Sequence, residues 1–135
     1  MIRHILDTDT CIGLIRGRSA SILKRLRQCP VGSVGISSIT LAELQYGVEK
    51  SSDPGRNQVA LLEFCAPLDI LEFGPAAADA YGRVRTILEK KGLPIGPLGT
   101  LIAAQTLSLS AILVTCNERE FRRIEGLKVE NWNAR

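Results

Sequence analysis

The chain has 135 residues, of which 45% are hydrophobic and 23% are charged. These proportions are those of an ordinary globular protein, and the length suffices for one domain with a real core, so we expect a single domain over residues 1–135. There is no run of about 18 apolar residues, which argues against a membrane-spanning helix. The net charge of +3 permits an acidic partner such as a nucleic acid without requiring one.

The cysteines favour free thiols over a metal site. Cys11, Cys29, Cys65 and Cys116 show no C-x-x-C spacing, and the chain has one histidine, so the sequence argues against a zinc site. We expect buried free thiols, which are typical of a reducing cytoplasm, where we expect this protein to reside. Met1 leads directly into strand-like sequence, and we expect no signal peptide.

The opening stretch, residues 2–15, predicts a short buried strand followed by a helix. Ile5 and Leu6 end an apolar run, and Asp7 and Asp9 follow before the helical pattern begins. Ligands of open α/β sheets bind at the carboxyl ends of the strands, which makes Asp7 a candidate site residue. For Asp9 we favour the role of helix N-cap. Asp7 lacks that explanation, because it closes the apolar run without starting the helical one.

The rest of the chain alternates between helical and strand patterns, which predicts a three-layer α/β domain with a mostly parallel sheet. Amphipathic or apolar helices are predicted at residues 19–28, 39–50, 59–64, 76–91 and 100–109. Strands are predicted at residues 31–38, 68–73, 111–115 and 128–132, the last at an edge of the sheet.

Glu43 has two interpretations, and both can hold. Thr40 followed three residues later by Glu43 fits a capping box, in which Glu43 only caps its helix. The same placement puts Glu43 in the first turn of a helix that follows a strand. In a parallel sheet this is the edge at which Asp7 lies, and this second interpretation implies chemistry.

Asn117 and Glu120 follow the strand predicted at residues 111–115, so they fall at the same edge as Asp7 and Glu43. Acids gathered at one edge repel each other unless a cation lies among them. Oxygen ligands without histidine or thiolate favour Mg²⁺ or Mn²⁺, and such an ion suits phosphodiester hydrolysis. Many α/β proteins carry acids on their loops, so this pattern alone leaves the chemistry open.

Five segments of the chain carry a recognisable pattern: L-D-T-D-T-C-I at 6–12, S-S-I-T-L-A-E-L-Q-Y-G at 37–47, I-G-P-L-G-T-L-I-A-A at 95–104, L-V-T-C-N-E-R-E-F at 113–121 and G-L-K-V-E-N-W at 126–132. Taken with the spacing between them, these segments resemble those of the PIN-domain ribonucleases, and specifically of the VapC toxins of type II toxin–antitoxin pairs. The resemblance implies a PIN-like α/β/α domain with about five parallel strands and a Mg²⁺- or Mn²⁺-dependent endoribonuclease activity.

The resemblance also implies roles for individual residues. Asp7 matches the first metal-binding acid of the family, and Glu43 matches the second. Asn117 stands where the family has Asp or Asn, and Glu120 is an acid that some members recruit to the site. Thr115 matches a small hydroxyl residue that supports the metal end of its strand.

Residue 99 departs from the family pattern. The family has G-P-x-D before this helix, and the Asp is its third catalytic acid and metal ligand; Gly99 offers only a backbone carbonyl. We favour an introduced Asp→Gly change, since toxic nucleases are often handled as variants lacking one acid. We expect weak metal binding and little or no RNA cleavage. Were residue 99 dispensable, Glu120 or the supporting Asp9 would complete the site. Cys116 is a milder departure, since Asn or Arg is usual there.

Basic residues near the acids are candidates for contacts with RNA phosphates, although each also fits an ordinary surface charge. The resemblance points to structured RNA, with tRNA first. The candidates are Arg16, Arg18 and Arg119, with Arg122 and Arg123 as further possibilities.

The resemblance implies partners as well: a homodimer within a larger hetero-oligomer, a VapB-type antitoxin lying across the acid groove, and operator DNA reached only through the antitoxin. A basic antitoxin side chain, preferably arginine, would pair with the groove acids. In an alternative hypothesis, the disabled chain is a binding module that engages the antitoxin, and through it operator DNA, without cleaving RNA.

Overall fold

Five parallel strands form one sheet in the computed structural model, which describes residues 1–133 of the chain. The strands are β1 (His4–Leu6), β2 (Val34–Ser37), β3 (Asp69–Leu71), β4 (Ile112–Val114) and β5 (Lys128–Glu130). They lie in the order β3-β2-β1-β4-β5, with β5 at one edge as predicted. The predicted sheet of about five parallel strands is confirmed.

Helices connect the strands. In the described residues they are α1 (Thr8–Ile15), α2 (Ala20–Gln28), α3 (Ser38–Glu49), α4 (Pro54–Cys65), α5 (Pro75–Lys90), α6 (Pro97–Ser108) and α7 (Glu118–Phe121). The helices α4 and α6 start at Pro54 and Pro97, before the helices predicted at residues 59–64 and 100–109. Proline is favoured in the first helical turn, where its missing N–H is not needed.

The sheet has a hydrophobic core on each face. Ile5 and Leu6 are both fully buried on β1, and they point to opposite sides because successive side chains of a strand alternate. Leu6 packs in the core that includes Leu61 of α4, and Ile5 packs in the core that includes Val84 of α5. The result is the predicted α/β/α layering. Within the described residues, no helix is long and apolar enough to cross a membrane.

The order of the strands reverses at the boundary between β1 and β4. The chain first adds β2 and β3 on one side of β1 and then returns to add β4 and β5 on the other side. In register, Leu6 of β1 lies beside Val114 of β4. Beyond the carboxyl ends of β1 and β4, the chain continues into helices in different parts of the fold, which leaves a crevice between them. Ligands of open α/β sheets bind in such crevices.

The cap of α1 is Asp7, not Asp9, so the expectation that Asp9 caps this helix was wrong. The carboxylate of Asp7 accepts a hydrogen bond from the Thr10 backbone N–H at 2.9 Å. Asp7 has the extended backbone of an N-cap, with φ −77° and ψ 170°. The helix begins directly at the end of β1, which leaves Asp9 exposed in the first turn.

The capping box predicted for α3 is also absent from the structure. Ser37 is the N-cap, and its hydroxyl accepts the backbone N–H of Ile39 at 3.0 Å. Because α3 begins at Ser38, Thr40 is a buried residue inside the helix and Glu43 belongs to its second turn. Glu43 therefore does not cap its helix, which leaves its carboxylate available for other contacts.

Candidate active site

A groove of about 190 Å³ lies at the carboxyl edge of the sheet, and it gathers the residues that the sequence singled out. Asp7, which follows β1, and residues of α1 and α3 line one part, and residues at or just before α6 and α7 line the other. The lining includes Asp7, Asp9, Glu43, Gly99, Asn117 and Glu120. Side chains separated by up to 113 residues in the sequence thus meet in one place, while the roles assigned to them stay predictions.

Asp7 is the most buried acid of the groove, with 5% of its surface exposed. Its carboxylate accepts hydrogen bonds from the Thr10 backbone N–H and from the Thr115 hydroxyl. Burial raises the pKa of Asp7 above its ordinary value of 3.8; the hydrogen bonds from Thr115 and Thr10 oppose this shift, and the charge of Asp9 adds to it. The ionised form of Asp7 is therefore costly in this groove, and a nearby cation would offset that cost.

Thr115 connects the end of β4 to the groove. The Thr115 hydroxyl donates to Asp7 and accepts the backbone N–H of Asn117 at 2.9 Å. The side-chain amide of Asn117 then donates to Glu120 at 3.1 Å. One chain of hydrogen bonds therefore runs from the carboxylate beside β1 to the carboxylate on α7.

Glu43 approaches the groove from α3, and Thr8 holds it there. The Thr8 hydroxyl donates to the Glu43 carboxylate at 2.7 Å. Thr8 was not among the candidate residues predicted from the sequence. The available signal was its position, since the residue directly after Asp7 begins a helix at the same edge of the sheet.

Gly99 is the third residue of α6, and its Cα faces a crowded part of the groove. A Cβ at this position would lie 3.3 Å from Cζ of Phe121 and 3.4 Å from Cγ2 of Ile95. A longer side chain at residue 99 would need a small shift of the Phe121 ring. As the chain stands, residue 99 brings no carboxylate to the groove.

The groove suits a hard divalent cation, although it offers few ligands. The atoms that the groove offers to a cation are carboxylate, amide and hydroxyl oxygens. In the described chain, no ion pair with lysine or arginine neutralises the groove's acids, which are Asp7, Asp9, Glu43 and Glu120. No three acidic, histidine or cysteine side chains of residues 1–133 come together closely enough to hold a metal. If a divalent cation enters the groove, Asp7 and Glu43 would supply its carboxylate ligands, since one or two carboxylates can bind Mg²⁺ while waters complete its shell.

The arginine candidates differ in their distance from the groove. Arg119 is exposed on α7, between the groove residues Asn117 and Glu120. Arg16 and Arg18 follow the far end of α1, and eight residues at 1.5 Å each place that end about 12 Å from Asp7. Of these three, only Arg119 has a chain neighbour, Glu120, that lines the groove.

Arg122 and Arg123 have partners of their own. Arg122 forms an ion pair with Glu118 at 2.9 Å, and Arg123 donates to the backbone carbonyl of Pro94 at 3.2 Å. Both guanidinium groups are therefore less available to a phosphate than that of Arg119.

The four cysteines are free, as predicted. Only Cys11 is fully buried, while Cys116 is exposed next to Thr115. The expectation of buried thiols therefore holds for one of the four.

The chain is an α/β protein with a parallel sheet between two helical layers. An acid-lined groove lies where the strand order reverses, and its oxygen atoms are of the kind that bind divalent cations. Comparison with known proteins makes this class specific. The family model described as PIN domain matches residues 4–127. PIN-domain ribonucleases generally use divalent metal ions.

Individual members of this family are similar in sequence to the chain over nearly their whole length. The tRNA(fMet)-specific endonuclease VapC of Shigella flexneri is 41% identical over 133 residues, which cover 98% of this chain and 100% of the relative. Ribonuclease VapC2 of Haemophilus influenzae is 42% identical over 132 residues, covering 98% and 99%. The crystal structure of VapBC2 from Rickettsia felis, bound to a DNA fragment from their promoter, matches with a TM-score of 0.93 and 42% identity over 98% of this chain and 100% of that chain. The chain therefore belongs to the PIN-domain family and, within it, to the VapC ribonucleases, as the resemblance predicted.

Proposed function

We propose that this protein is the toxin of a type II toxin–antitoxin pair, and that it is an endoribonuclease acting on tRNA. The observation that carries the proposal is the groove where Asp7, Glu43, Asn117 and Glu120 meet at the switch point of the sheet. It occurs in a chain 41% identical, over nearly its whole length, to a tRNA(fMet)-specific endonuclease. Hydrolysis adds water to the phosphorus and breaks the bond to the 3′ oxygen, leaving a 3′-hydroxyl and a 5′-phosphate.

In this proposal each residue of the groove has a task. Asp7 and Glu43 hold Mg²⁺ or Mn²⁺, and Asn117 and Glu120 orient water by hydrogen bonds. Arg119 binds a phosphate of the RNA backbone. When bound, the ion stabilises the negative charge that develops on the phosphate oxygens and increases the acidity of water.

Gly99 lowers the activity of this chain. A carboxylate at residue 99 would add a third negative group to Asp7 and Glu43, and its absence weakens the attraction for a cation. Losing a partner that only supports a metal ligand costs about 10- to 100-fold in affinity or activity. The loss of a direct ligand costs more.

The proposed partners follow from the relatives. The Rickettsia felis structure is a VapBC2 complex with promoter DNA. We place this chain in a homodimer whose acid groove receives an arginine of a VapB-type antitoxin, with operator DNA bound through that antitoxin. Four free thiols support a reducing, cytoplasmic location.

A cleavage assay on total tRNA tests the proposed reaction. The chain and its Gly99→Asp variant are incubated with Mg²⁺ or Mn²⁺, with EDTA as the control. Cleavage by the Asp variant alone, stopped by EDTA, is the expected result. Equal cleavage by both would mean that Glu120 or Asp9 completes the site.

Cleavage by neither form would favour the second candidate function, a binding module with a disabled site. The glycine at residue 99 is the observation in its favour. This candidate requires a stable complex with the antitoxin that binds operator DNA. Loss of operator binding when the toxin is omitted, together with inactivity of both forms on tRNA, would support it.

A further inference from the structure

We infer that Thr8 is a positioning residue that fixes the carboxylate of Glu43 relative to that of Asp7. The inference rests on the proposed function, in which these two acids hold the cation. It concerns a residue that lines the groove but brings no charge to it.

The contact itself is short and joins distant parts of the chain. Thr8 Oγ1 lies 2.7 Å from Glu43 Oε1 and 3.3 Å from Thr40 Oγ1. Thr8 has a single hydroxyl proton, and a carboxylate is a stronger acceptor than another hydroxyl. The Thr8 hydroxyl therefore donates mainly to Glu43, and its longer contact with the Thr40 oxygen is the weaker of the two.

The surroundings of the two threonines make this contact rigid. Thr40 is fully buried on α3, three residues before Glu43, so the helix itself fixes its hydroxyl near Glu43. Thr8 is the first residue of α1 and follows Asp7, the N-cap of that helix. Asp7, the acid at the end of β1, is thus the direct chain neighbour of Thr8, whose hydroxyl contacts Glu43 of α3.

Without this hydroxyl, Glu43 would lose the hydrogen bond that ties it to α1. Its side chain is only half-buried, and a free glutamate side chain samples several rotamers. A cation would then have to order that side chain on binding, which costs conformational entropy. With Thr8 in place, the side chain is already ordered in the folded protein. The donor contacts Oε1, so the lone pairs of Oε2 stay available to a ligand.

The test compares Thr8→Val, which keeps the shape but removes the donor, with Thr8→Ser, which keeps the donor. Mn²⁺ binding to the full chain is measured by electron paramagnetic resonance, in both the Gly99 and the Gly99→Asp background. Since partners of metal ligands are worth about 10- to 100-fold in affinity, Thr8→Val should weaken Mn²⁺ binding by that factor and Thr8→Ser should restore it.

Thr86→Val is the matched control. Thr86 also donates its hydroxyl over a short distance, 2.7 Å to the carbonyl of Gly82, but it lies on the exposed face of α5 away from the groove. Its substitution should leave Mn²⁺ binding unchanged. The unfolding temperatures of all three variants, measured in EDTA, show whether a change in binding reflects loss of the fold.

Crystal structures of the Thr8→Val and Thr8→Ser variants give a readout that needs no metal. Glu43 should leave its position in the first and keep it in the second. An ordered, unmoved Glu43 in Thr8→Val, or unchanged Mn²⁺ affinity, would overturn the inference. If no form binds Mn²⁺, the proposed metal site fails, and the position of Glu43 alone decides the role of Thr8.

Discussion

The hydroxyl of Thr115 donates to the carboxylate of Asp7 and so joins the end of β4 to the end of β1 across the point where the strand order reverses. The two residues are 108 positions apart in the sequence. Both are buried, so the bond is shielded from water. Burial raises the pKa of Asp7, and this hydrogen bond lowers it, so the bond affects both the stability of the fold and the charge of the groove.

Replacing Thr115 with valine should raise the pKa of Asp7 further, because the hydrogen bond that favours its ionised form is lost. The Asn117 backbone N–H loses its acceptor as well. Leaving the buried Asp7 carboxylate without this donor costs about 1–3 kcal/mol, so the free energy of unfolding should fall by that order. Urea unfolding and an NMR titration of Asp7 measure the two effects. Thr115→Ser retains both hydrogen bonds, and a loss as large as that of valine would show that the hydroxyl is not responsible.

The Asp7→Asn variant tests the cost of burying a charge. Because the pKa of Asp7 is raised in the folded state, folding takes up protons between the ordinary value of 3.8 and the raised value, and this contribution to stability grows as the pH falls. The asparagine does not titrate. In EDTA, the unfolding free energy of the unsubstituted chain relative to the variant should therefore increase as the pH is lowered through this window. A difference that is constant with pH, or that decreases, would contradict the raised pKa.

Gly99→Asp and Gly99→Ala separate the effect of the carboxylate from that of the added Cβ. Both place a Cβ 3.3 Å from Phe121, at the same small packing cost. In EDTA the Asp variant should be the less stable, since it adds a negative charge beside Asp7 and Glu43. Mn²⁺ should reverse that order, because a ligand that binds only the folded state stabilises it. Thermal unfolding of both variants with and without Mn²⁺ measures this, and equal stabilisation by Mn²⁺ would exclude residue 99 as a ligand position.

Arg119→Ala should weaken tRNA binding more than Arg122→Ala does. Arg119 is exposed and precedes the groove residue Glu120, whereas Arg122 is paired with Glu118. Each lost phosphate contact lowers the slope of log affinity against log salt concentration by about 0.7 to 0.9. Binding of tRNA at several salt concentrations measures that slope, with Ca²⁺ in place of Mg²⁺ to prevent cleavage. Equal slopes for the two variants would remove Arg119 from the proposed RNA contacts.

Gly35→Ala should destabilise the sheet. A Cβ at Gly35 of β2 would lie 2.8 Å from the backbone carbonyl oxygen of Asp69 in β3, closer than the two atoms can pack. Forcing extra atoms into a packed site costs about 1–3 kcal/mol. Gly13→Ala in α1 is the control, since a Cβ there meets nothing within 4 Å and alanine favours a helix. Unfolding in urea should show a loss for the first and none for the second.

Much of the fold was predictable because its signals are local. Short apolar runs, and alternation in the segment 68–73, identified the strands, and the order of strands and helices predicted a parallel sheet with acids at one edge. The same reasoning places Asp7, Glu43 and Asn117 at that edge from the sequence pattern alone. Local patterns were less reliable at the helix ends: Asp7 and Asp9 are both good caps two residues apart, and only the exact end of β1 decides between them.

The sequence by itself determined the class of fold, the family and the acids that can reach one groove. Only the tertiary structure decided the order of the strands, the cap of α1 and the hydrogen bonds from Thr8 to Glu43 and from Thr115 to Asp7. The physical reason is the distance along the sequence over which each feature is determined. A period of two or of 3.6 residues is written in neighbouring side chains. The bonds that shape this groove join residues 35 and 108 positions apart, and they exist only once packing has brought β1, α3 and β4 together.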